Sequence, residues 1–197
     1  DFSTAERRLW ALERELEFNR PTAPDIYRAV RRITREPDGT LAIDGRGETI
    51  DHALEMRRFD ERQVLAARPD SVDGELAERL GRAIARVHAE AELRPQGGLT
   101  ALAWTIGSNT GLLRDIAALD QVRVERLIEL TEAELERQAP LLAHRAATGF
   151  ARRCHGDLHL GNILLEHGEP VLFDCIEFSD LLSDLDATAN VEVPAVY

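Results

Sequence analysis

The chain has 197 residues, of which 44% are hydrophobic, and it carries a formal net charge of -12. This composition supports a folded core in one domain, or in two lobes sharing a cleft, and it excludes a disordered chain. The acidic balance argues against a nucleic-acid partner, and the lack of a signal peptide or a long apolar run argues against a membrane, so the sequence predicts a cytoplasmic protein.

The N-terminal region is predicted to form one helix and a small sheet. Ser3 and Glu6 have the spacing of a capping box, which predicts a helix to about Phe18. Three strands are predicted over residues 26–33, 40–43 and 49–59. The short connections between them favour an antiparallel meander. Gly45-Arg-Gly-Glu48 begins like a phosphate-binding loop, but it lacks a third glycine and a following helix, so a hairpin turn is favoured.

The middle of the chain has helical periodicity. Ser71 is predicted to cap a helix over residues 72–93, which ends before the glycine-rich segment at 95–98. A second helical block is predicted from 112 to 147, with interruptions near Asp120 and Pro140.

The last third of the chain lacks the helical periodicity of the middle. Residues 154–161 form a loop rich in His, Asp and Gly, and short strands at 162–165 and 171–173 are joined by a tight turn. Asp174 follows the second strand. The two cysteines, Cys154 and Cys175, are predicted to be reduced packing residues, because a single pair in such a chain is no disulfide framework.

Three oxygen-bearing side chains of this region have the spacing that phosphoryl transfer requires. Such a reaction needs a carboxylate to accept a hydroxyl proton and hard oxygen ligands for magnesium. Asp157 precedes Asn162 by five residues, and the hairpin brings Asp174 beside Asn162. The alternative is that these residues only cap loops and form turns, as Asp and Asn often do.

The same residues carry a family resemblance. The segment 155–164, His-Gly-Asp-Leu-His-Leu-Gly-Asn-Ile-Leu, resembles the signature of aminoglycoside phosphotransferases and related kinase-like phosphotransferases. Val171–Asp174 resembles their second metal motif. Together with segments 1–4, 15–20 and 56–59, these strings resemble a bacterial branch whose members are often fused to a P-loop ATP-binding domain, so the resemblance spans most of the chain.

The resemblance implies an α+β, protein-kinase-like fold. Residues 1–59 would form a truncated N-lobe, with a helix and a small antiparallel sheet. Residues 60–197 would form a mostly helical, C-terminally short C-lobe that contains the catalytic loop and the metal-binding hairpin.

The resemblance also implies roles and cofactors. The complete protein would be an enzyme that uses ATP and Mg²⁺ to phosphorylate a hydroxyl group of a small molecule. Asp157 would be the catalytic base, Asn162 and Asp174 the magnesium ligands, and His155 and His159 would shape the loop. Acidic residues of the family also fall at 177 and 186, without an assigned role. The motif does not name the substrate.

One part of the kinase machinery is missing from the sequence. Kinase-like enzymes hold ATP phosphates with a lysine on an early strand, paired with a helix glutamate. This chain contains no lysine. In the branch that it resembles, those strands lie upstream of Asp1, and the helix glutamate would be Glu15, with Glu13 as second choice. Arg57 and Arg58 are alternatives to the lysine, although solvated strand residues are favoured for both.

The absent lysine gives two expectations. The chain is expected to be a fragment, or a naturally shortened member, without the phosphate-covering strands. A second hypothesis is a catalytically silent nucleotide-binding or regulatory module that serves a fused or separate P-loop partner.

Overall fold

The computed structural model describes residues 2–187, and internal contacts divide them into two compact units. Of the described residues, the first unit comprises 2–85 and Asp157–Phe178, and the second comprises Arg86–Gly156 and 179–187. The predicted lobe boundary after residue 59 stays a prediction. The predicted end of the helical lobe, at 188–197, lies outside the described residues.

The first helix, α1, spans Ala5–Asn19 and packs against the small sheet of the first unit. Thr4 is its N-cap, since the Thr4 hydroxyl oxygen accepts a hydrogen bond from the Arg7 backbone N–H at 3.3 Å. The predicted cap at Ser3 is therefore wrong by one residue. The backbone is still extended at Thr4, so its side chain is the one that reaches the first helical turn.

The sheet contains β1 (Tyr27–Arg35), β2 (Leu41–Ile43) and β3 (Glu48–Met56). All pairs are antiparallel, but the order is β2-β1-β3, so the predicted meander is wrong. The chain crosses the end of β1 between β2 and β3. Gly47 permits this crossing, because a Cβ there would stand 2.0 Å from the Arg35 carbonyl oxygen.

The loop before β3 encloses a carboxylate rather than a phosphate. The Gly47 N–H donates to both Glu36 carboxylate oxygens at 3.1 Å, and the Thr34 hydroxyl donates to the same group at 2.6 Å. These bonds, the Thr34 hydroxyl first, lower the pKa of Glu36. The turn interpretation of 45–48 thus fits, because an internal anion already uses the N–H donor of Gly47.

A hairpin completes the first unit. Strands β5 (Ile163–Glu166) and β6 (Glu169–Leu172) pair antiparallel through a tight turn in which His167 and Gly168 both have positive φ. Leu164 of this hairpin packs with Ala23, Ile26 and Tyr27 in a fully buried cluster. Burial of these apolar groups fixes the hairpin against the residues that follow α1.

Three long helices dominate the rest of the chain. These are α2 (Gly74–Glu90), which crosses the division between the units, and α3 (Leu99–Asp115) and α4 (Gln121–Ala147) of the second unit. Asp73 caps α2 by accepting from the Leu76 N–H at 2.8 Å, so the predicted cap at Ser71 is wrong. Ser71 instead ends a short 3-10 turn.

The second unit differs from its prediction in two other places. α3 begins directly after Gly98, thirteen residues before the predicted start of that block, and the predicted break near Asp120 falls at the N-cap of α4. α4 continues through Pro140, because a proline removes one backbone N–H and the flanking turns keep their bonds. The unit ends with β4 (Ala151–Arg153), α5 (Asp180–Ser183) and β7 (Asp184–Asp186), with β4 and β7 paired antiparallel.

Candidate active site

The hairpin register places Asp174 next to Asn162. Ile163 pairs with Leu172, and the Phe173 N–H donates to the Asn162 carbonyl oxygen at 3.1 Å. Asp174 is therefore the first residue beyond the last backbone bond that joins the two strand ends. Its φ of 61° lies in the left-handed region, which turns the chain away from the strand direction.

Asn162 also contacts the predicted base. Its side-chain Nδ2 donates to the Asp157 carbonyl oxygen at 2.8 Å and to Asp157 Oδ2 at 3.3 Å. Asn162 is only 6% exposed, whereas the Asp157 side chain is 51% exposed. Since the amide nitrogen is hydrogen-bonded to Asp157, the amide oxygen is left for a different partner. One buried side chain thus orients the carboxylate and presents a separate oxygen.

His159 flanks the same carboxylate. Its Nδ1 accepts a hydrogen bond from the Gly161 N–H at 2.9 Å, so the neutral ring carries its proton on Nε2. That Nε2 lies 3.5 Å from Asp157 Oδ2. Gly161 makes room for the ring, because a Cβ there would stand 2.6 Å from the ring Cε1.

The other predicted loop-shaping residue is His155. His155 is buried at 5% exposure and belongs to the second unit, whereas His159 belongs to the first. The loop-shaping roles of both histidines stay predictions. For His159, the contacts with the Gly161 N–H and with Asp157 Oδ2 show how its ring could shape the loop.

Glu15 faces the end of the hairpin. Burial, assisted by repulsion from the carboxylates of Glu177 and Asp174, raises the pKa of Glu15. The neighbouring Arg14 Nε donates to the Glu177 carbonyl oxygen at 2.8 Å, which holds the segment after Asp174 against α1. Glu13, the second choice, is exposed. The structure therefore brings Glu15, and not Glu13, close to Asp174.

Asp186, which received no role, makes a structural ion pair. It is 7% exposed and accepts two hydrogen bonds from the Arg145 guanidinium, at 2.6 and 2.8 Å, within the second unit.

The two arginines after β3, which are the alternatives to the lysine, differ in their contacts. Arg57 Nη2 pairs with Glu166 Oε1 at 2.5 Å, and its Nε donates to the Asp25 carbonyl oxygen. Glu166 lies at the turn of the hairpin, about 13 Å of strand away from its Asp174 end. Arg58 is exposed on the same segment.

The oxygen donors of the hairpin fit a magnesium ion. Among the described residues, the Asp174 carboxylate has no hydrogen-bonding partner, and the Asn162 amide oxygen would be the second hard ligand. Magnesium keeps several waters and needs only one or two protein carboxylates, so this set is sufficient. Over residues 2–187, no three His, Cys, Asp or Glu side chains converge as a metal cluster. Asn162 and Asp174 would therefore hold the ion together with ligands from a bound phosphate.

Both cysteines have the predicted state. Neither Cys154 nor Cys175 forms a disulfide, and both are buried. Burial raises the pKa of Cys154 to about 11, so this thiol stays protonated.

Sequence reasoning missed two residues near Asp174. The Tyr27 hydroxyl oxygen accepts from the Asp174 N–H, and Asn19 Oδ1 accepts from the Cys175 N–H. Asn19 occurs within the 15–20 segment of the family resemblance, which was the only signal for it. Tyr27 gave no signal beyond its place in a strand.

The architecture and the loop define the class of protein. A helix with a small antiparallel sheet, long helices, and a loop and hairpin that carry Asp157, Asn162 and Asp174 form an α+β, kinase-like fold. The pattern of the phosphotransferase enzyme family matches residues 10–189, and the chain belongs to this family.

The similar curated proteins are mycobacterial. Uncharacterized proteins Rv2004c and MT2060 of Mycobacterium tuberculosis and Mb2027c of Mycobacterium bovis are each 31% identical over 197 aligned residues, which cover 94% of this chain. The chain spans about 37% of the length of these relatives. No solved structure matches the chain. In residues 2–187, no helix has the length and apolar character that crossing a bilayer requires.

Proposed function

We propose that the protein transfers the γ-phosphoryl group of ATP to a hydroxyl group of a small molecule, in a reaction that requires Mg²⁺. The observation that carries this proposal is the double contact of Asn162 Nδ2 with the Asp157 carbonyl and carboxylate oxygens. Through this contact, the side chain of the proposed metal ligand Asn162 also holds the carboxylate of the proposed base Asp157. Membership of the phosphotransferase family supports the reaction class.

Asp157 is the proposed base. Its Oδ2 is held between Asn162 Nδ2 and His159 Nε2, while its Oδ1 has no hydrogen-bonding partner among the described residues. Oδ1 is thus available to accept the proton of a substrate hydroxyl as the hydroxyl oxygen attacks the γ-phosphorus. The bond between that phosphorus and the β,γ-bridging oxygen breaks, and ADP leaves with the electron pair.

Asn162 and Asp174 are the proposed ligands of the ion. When bound, Mg²⁺ would neutralise negative charge on the phosphate oxygens. The chain's own contribution is to fix two oxygens at neighbouring strand ends before any nucleotide binds, which avoids reorganisation during the reaction. Glu15 is the proposed partner of a cation that holds the nucleotide. Its raised pKa, caused by burial and by Glu177 and Asp174, supports this assignment because a nearby cation would relieve that repulsion.

The partners are also proposals. A hydroxyl-bearing small molecule is the proposed acceptor. A fused or separate P-loop ATP-binding domain is the proposed protein partner. The relatives are long enough to contain such a domain, because this chain spans only about 37% of their length.

The test is ATP-dependent phosphorylation across a panel of hydroxyl-bearing metabolites, followed by mass spectrometry of the products. Asp157→Asn should lower kcat by about 100-fold or more, as expected for loss of a general base, and should leave nucleotide affinity nearly unchanged. Asp70→Asn is the matched control, because Asp70 is an exposed aspartate in a 3-10 turn of the same unit. Unchanged turnover in Asp157→Asn would remove it as the base. If the protein binds Mg-ATP but phosphorylates no acceptor, the regulatory module is the better account.

A further inference from the structure

Two buried side chains bind successive backbone amides at Asp174. The Tyr27 hydroxyl oxygen accepts from the Asp174 N–H at 3.2 Å, and Asn19 Oδ1 accepts from the Cys175 N–H at 2.8 Å. Tyr27 is 1% exposed and Asn19 is not exposed at all. Both acceptors come from residues distant in sequence, at the end of α1 and the start of β1.

The backbone at this point requires such support. Asp174 has φ 61°, a conformation that costs free energy in any residue with a Cβ. Strand β6 ends at Leu172, so the sheet ladder supplies no carbonyl to the amides of Asp174 and Cys175. Without Tyr27 and Asn19, two inward-facing N–H groups would lack their acceptors, and a more extended backbone would become competitive.

Asn19 also fixes the helix that carries Glu15. Its Nδ2 donates to the Glu15 carbonyl oxygen at 3.1 Å, so both ends of one amide are used. A second contact joins the same two segments: Arg14 Nε, in the same helix, donates to the carbonyl oxygen of Glu177, two residues after Cys175. The last turns of α1 and the segment from Asp174 to Glu177 are thereby tied together at two points.

We propose that Asn19 and Tyr27 are positioning residues that set the affinity of Asp174 for a divalent cation. They touch neither substrate nor metal. They hold the Asp174 backbone in the left-handed conformation, so that its carboxylate keeps one direction at the end of the hairpin where Asn162 also lies. The inference rests on the proposed function, because it takes Asp174 to be a metal ligand.

Binding of Mn²⁺ tests the inference without any measurement of activity. Mn²⁺ replaces Mg²⁺, and its dissociation constant is measured by electron paramagnetic resonance in the presence of a non-hydrolysable ATP analogue. Tyr27→Phe removes one hydroxyl and keeps the buried ring, so the fold should be retained. Asn19→Leu removes both amide contacts at similar volume. Hydrogen exchange of the peptide that contains Asp174 and Cys175 reports the backbone directly.

We expect Tyr27→Phe and Asn19→Leu to raise the Mn²⁺ dissociation constant at least threefold and to speed amide exchange at 174–175 at least tenfold. Affinity for the nucleotide without metal should stay within twofold. Thr34→Val is the matched control: Thr34 is fully buried and hydrogen-bonded in the same unit, but it has no link to Asp174. Its Mn²⁺ dissociation constant should match that of the unmodified protein.

The outcomes separate this inference from the proposed function. Asp174→Ala should raise the Mn²⁺ dissociation constant more than tenfold, and if it does not, the metal site fails and the inference fails with it. If Asp174→Ala weakens binding while Tyr27→Phe and Asn19→Leu bind Mn²⁺ normally, only the positioning role is overturned. Equal weakening in Thr34→Val would also overturn it, because general loss of stability would then be the cause.

Discussion

Gly161→Ala tests whether the His159 ring positions the predicted base. A Cβ on residue 161 would lie 2.6 Å from Cε1 and 2.8 Å from Nδ1 of His159, and its three nearest neighbours all belong to that ring. The ring is 44% exposed, so it can swing outward. It would then lose the hydrogen bond from the residue 161 N–H and its place beside Asp157.

For Gly161→Ala we expect a small loss of stability and a substantial loss of kcat. Loss of the hydrogen bond from the residue 161 N–H to His159 lowers the free energy of unfolding by about 1 kcal/mol. Ala in place of Gly raises it by about 0.4–1 kcal/mol, because the unfolded chain has less conformational entropy. The melting temperature should therefore fall by no more than about 2–4 °C. The value of kcat should fall by about tenfold or more, since a displaced carboxylate loses its near-attack geometry.

A double-mutant cycle gives the decisive measurement. When His159→Ala is already present, the ring is gone, and Gly161→Ala should be neutral or stabilising by about 0.4–1 kcal/mol in urea denaturation. Steady-state kinetics of all four proteins should show the same lack of additivity. A full kcat in Gly161→Ala, or a loss of stability that is the same with and without the His159 ring, would show that the ring does not position Asp157.

Three other predictions concern the fold. Gly47→Ala should destabilise the protein by about 2 kcal/mol or more in urea denaturation, because its Cβ would meet the Arg35 backbone at 2.0 Å, and a neutral result would contradict the crossing. Arg57→Gln should cost about 1 kcal/mol by the same measurement through loss of the Glu166 ion pair, while Mn²⁺ affinity stays unchanged because that pair lies at the hairpin turn. Burial, and secondly the positive charge of Arg152, lowers the pKa of His88. The free energy of unfolding should therefore fall as pH drops below about 6.5, because the unfolded chain binds a proton there more readily than the folded protein. His88→Gln should reduce this dependence of the free energy of unfolding on pH.

The chain segments that carry the candidate site follow more directly from the sequence than the order of strands in the sheet does. Asp157, Asn162 and the hairpin before Asp174 lie within 20 residues, so local turn geometry determines how their chain segments meet. The order of strands β2-β1-β3 depends on how Gly47 passes Arg35, a long-range contact that strand periodicity does not encode.

Helix ends and interruptions were also harder to predict. Thr4 and Ser3 are equally good caps by residue type, and the backbone angles at Thr4 decided between them. Pro140 predicts a break, but the surrounding 27-residue helix α4 tolerates it. α3 has apolar residues around most of its circumference, so periodicity gave no clear start for it.

The sequence by itself determined the candidate reactive groups of this protein: a carboxylate, an amide and a second carboxylate at spacings that a short loop and hairpin can bring together. Only the tertiary structure decided how those groups are held. Tyr27 and Asn19 reach the backbone at Asp174 from about 150 residues away in the chain, at separations of 147 and 156. Such contacts form only when α1, β1 and the hairpin bury one shared core, because no local pattern specifies a hydrogen bond across that distance.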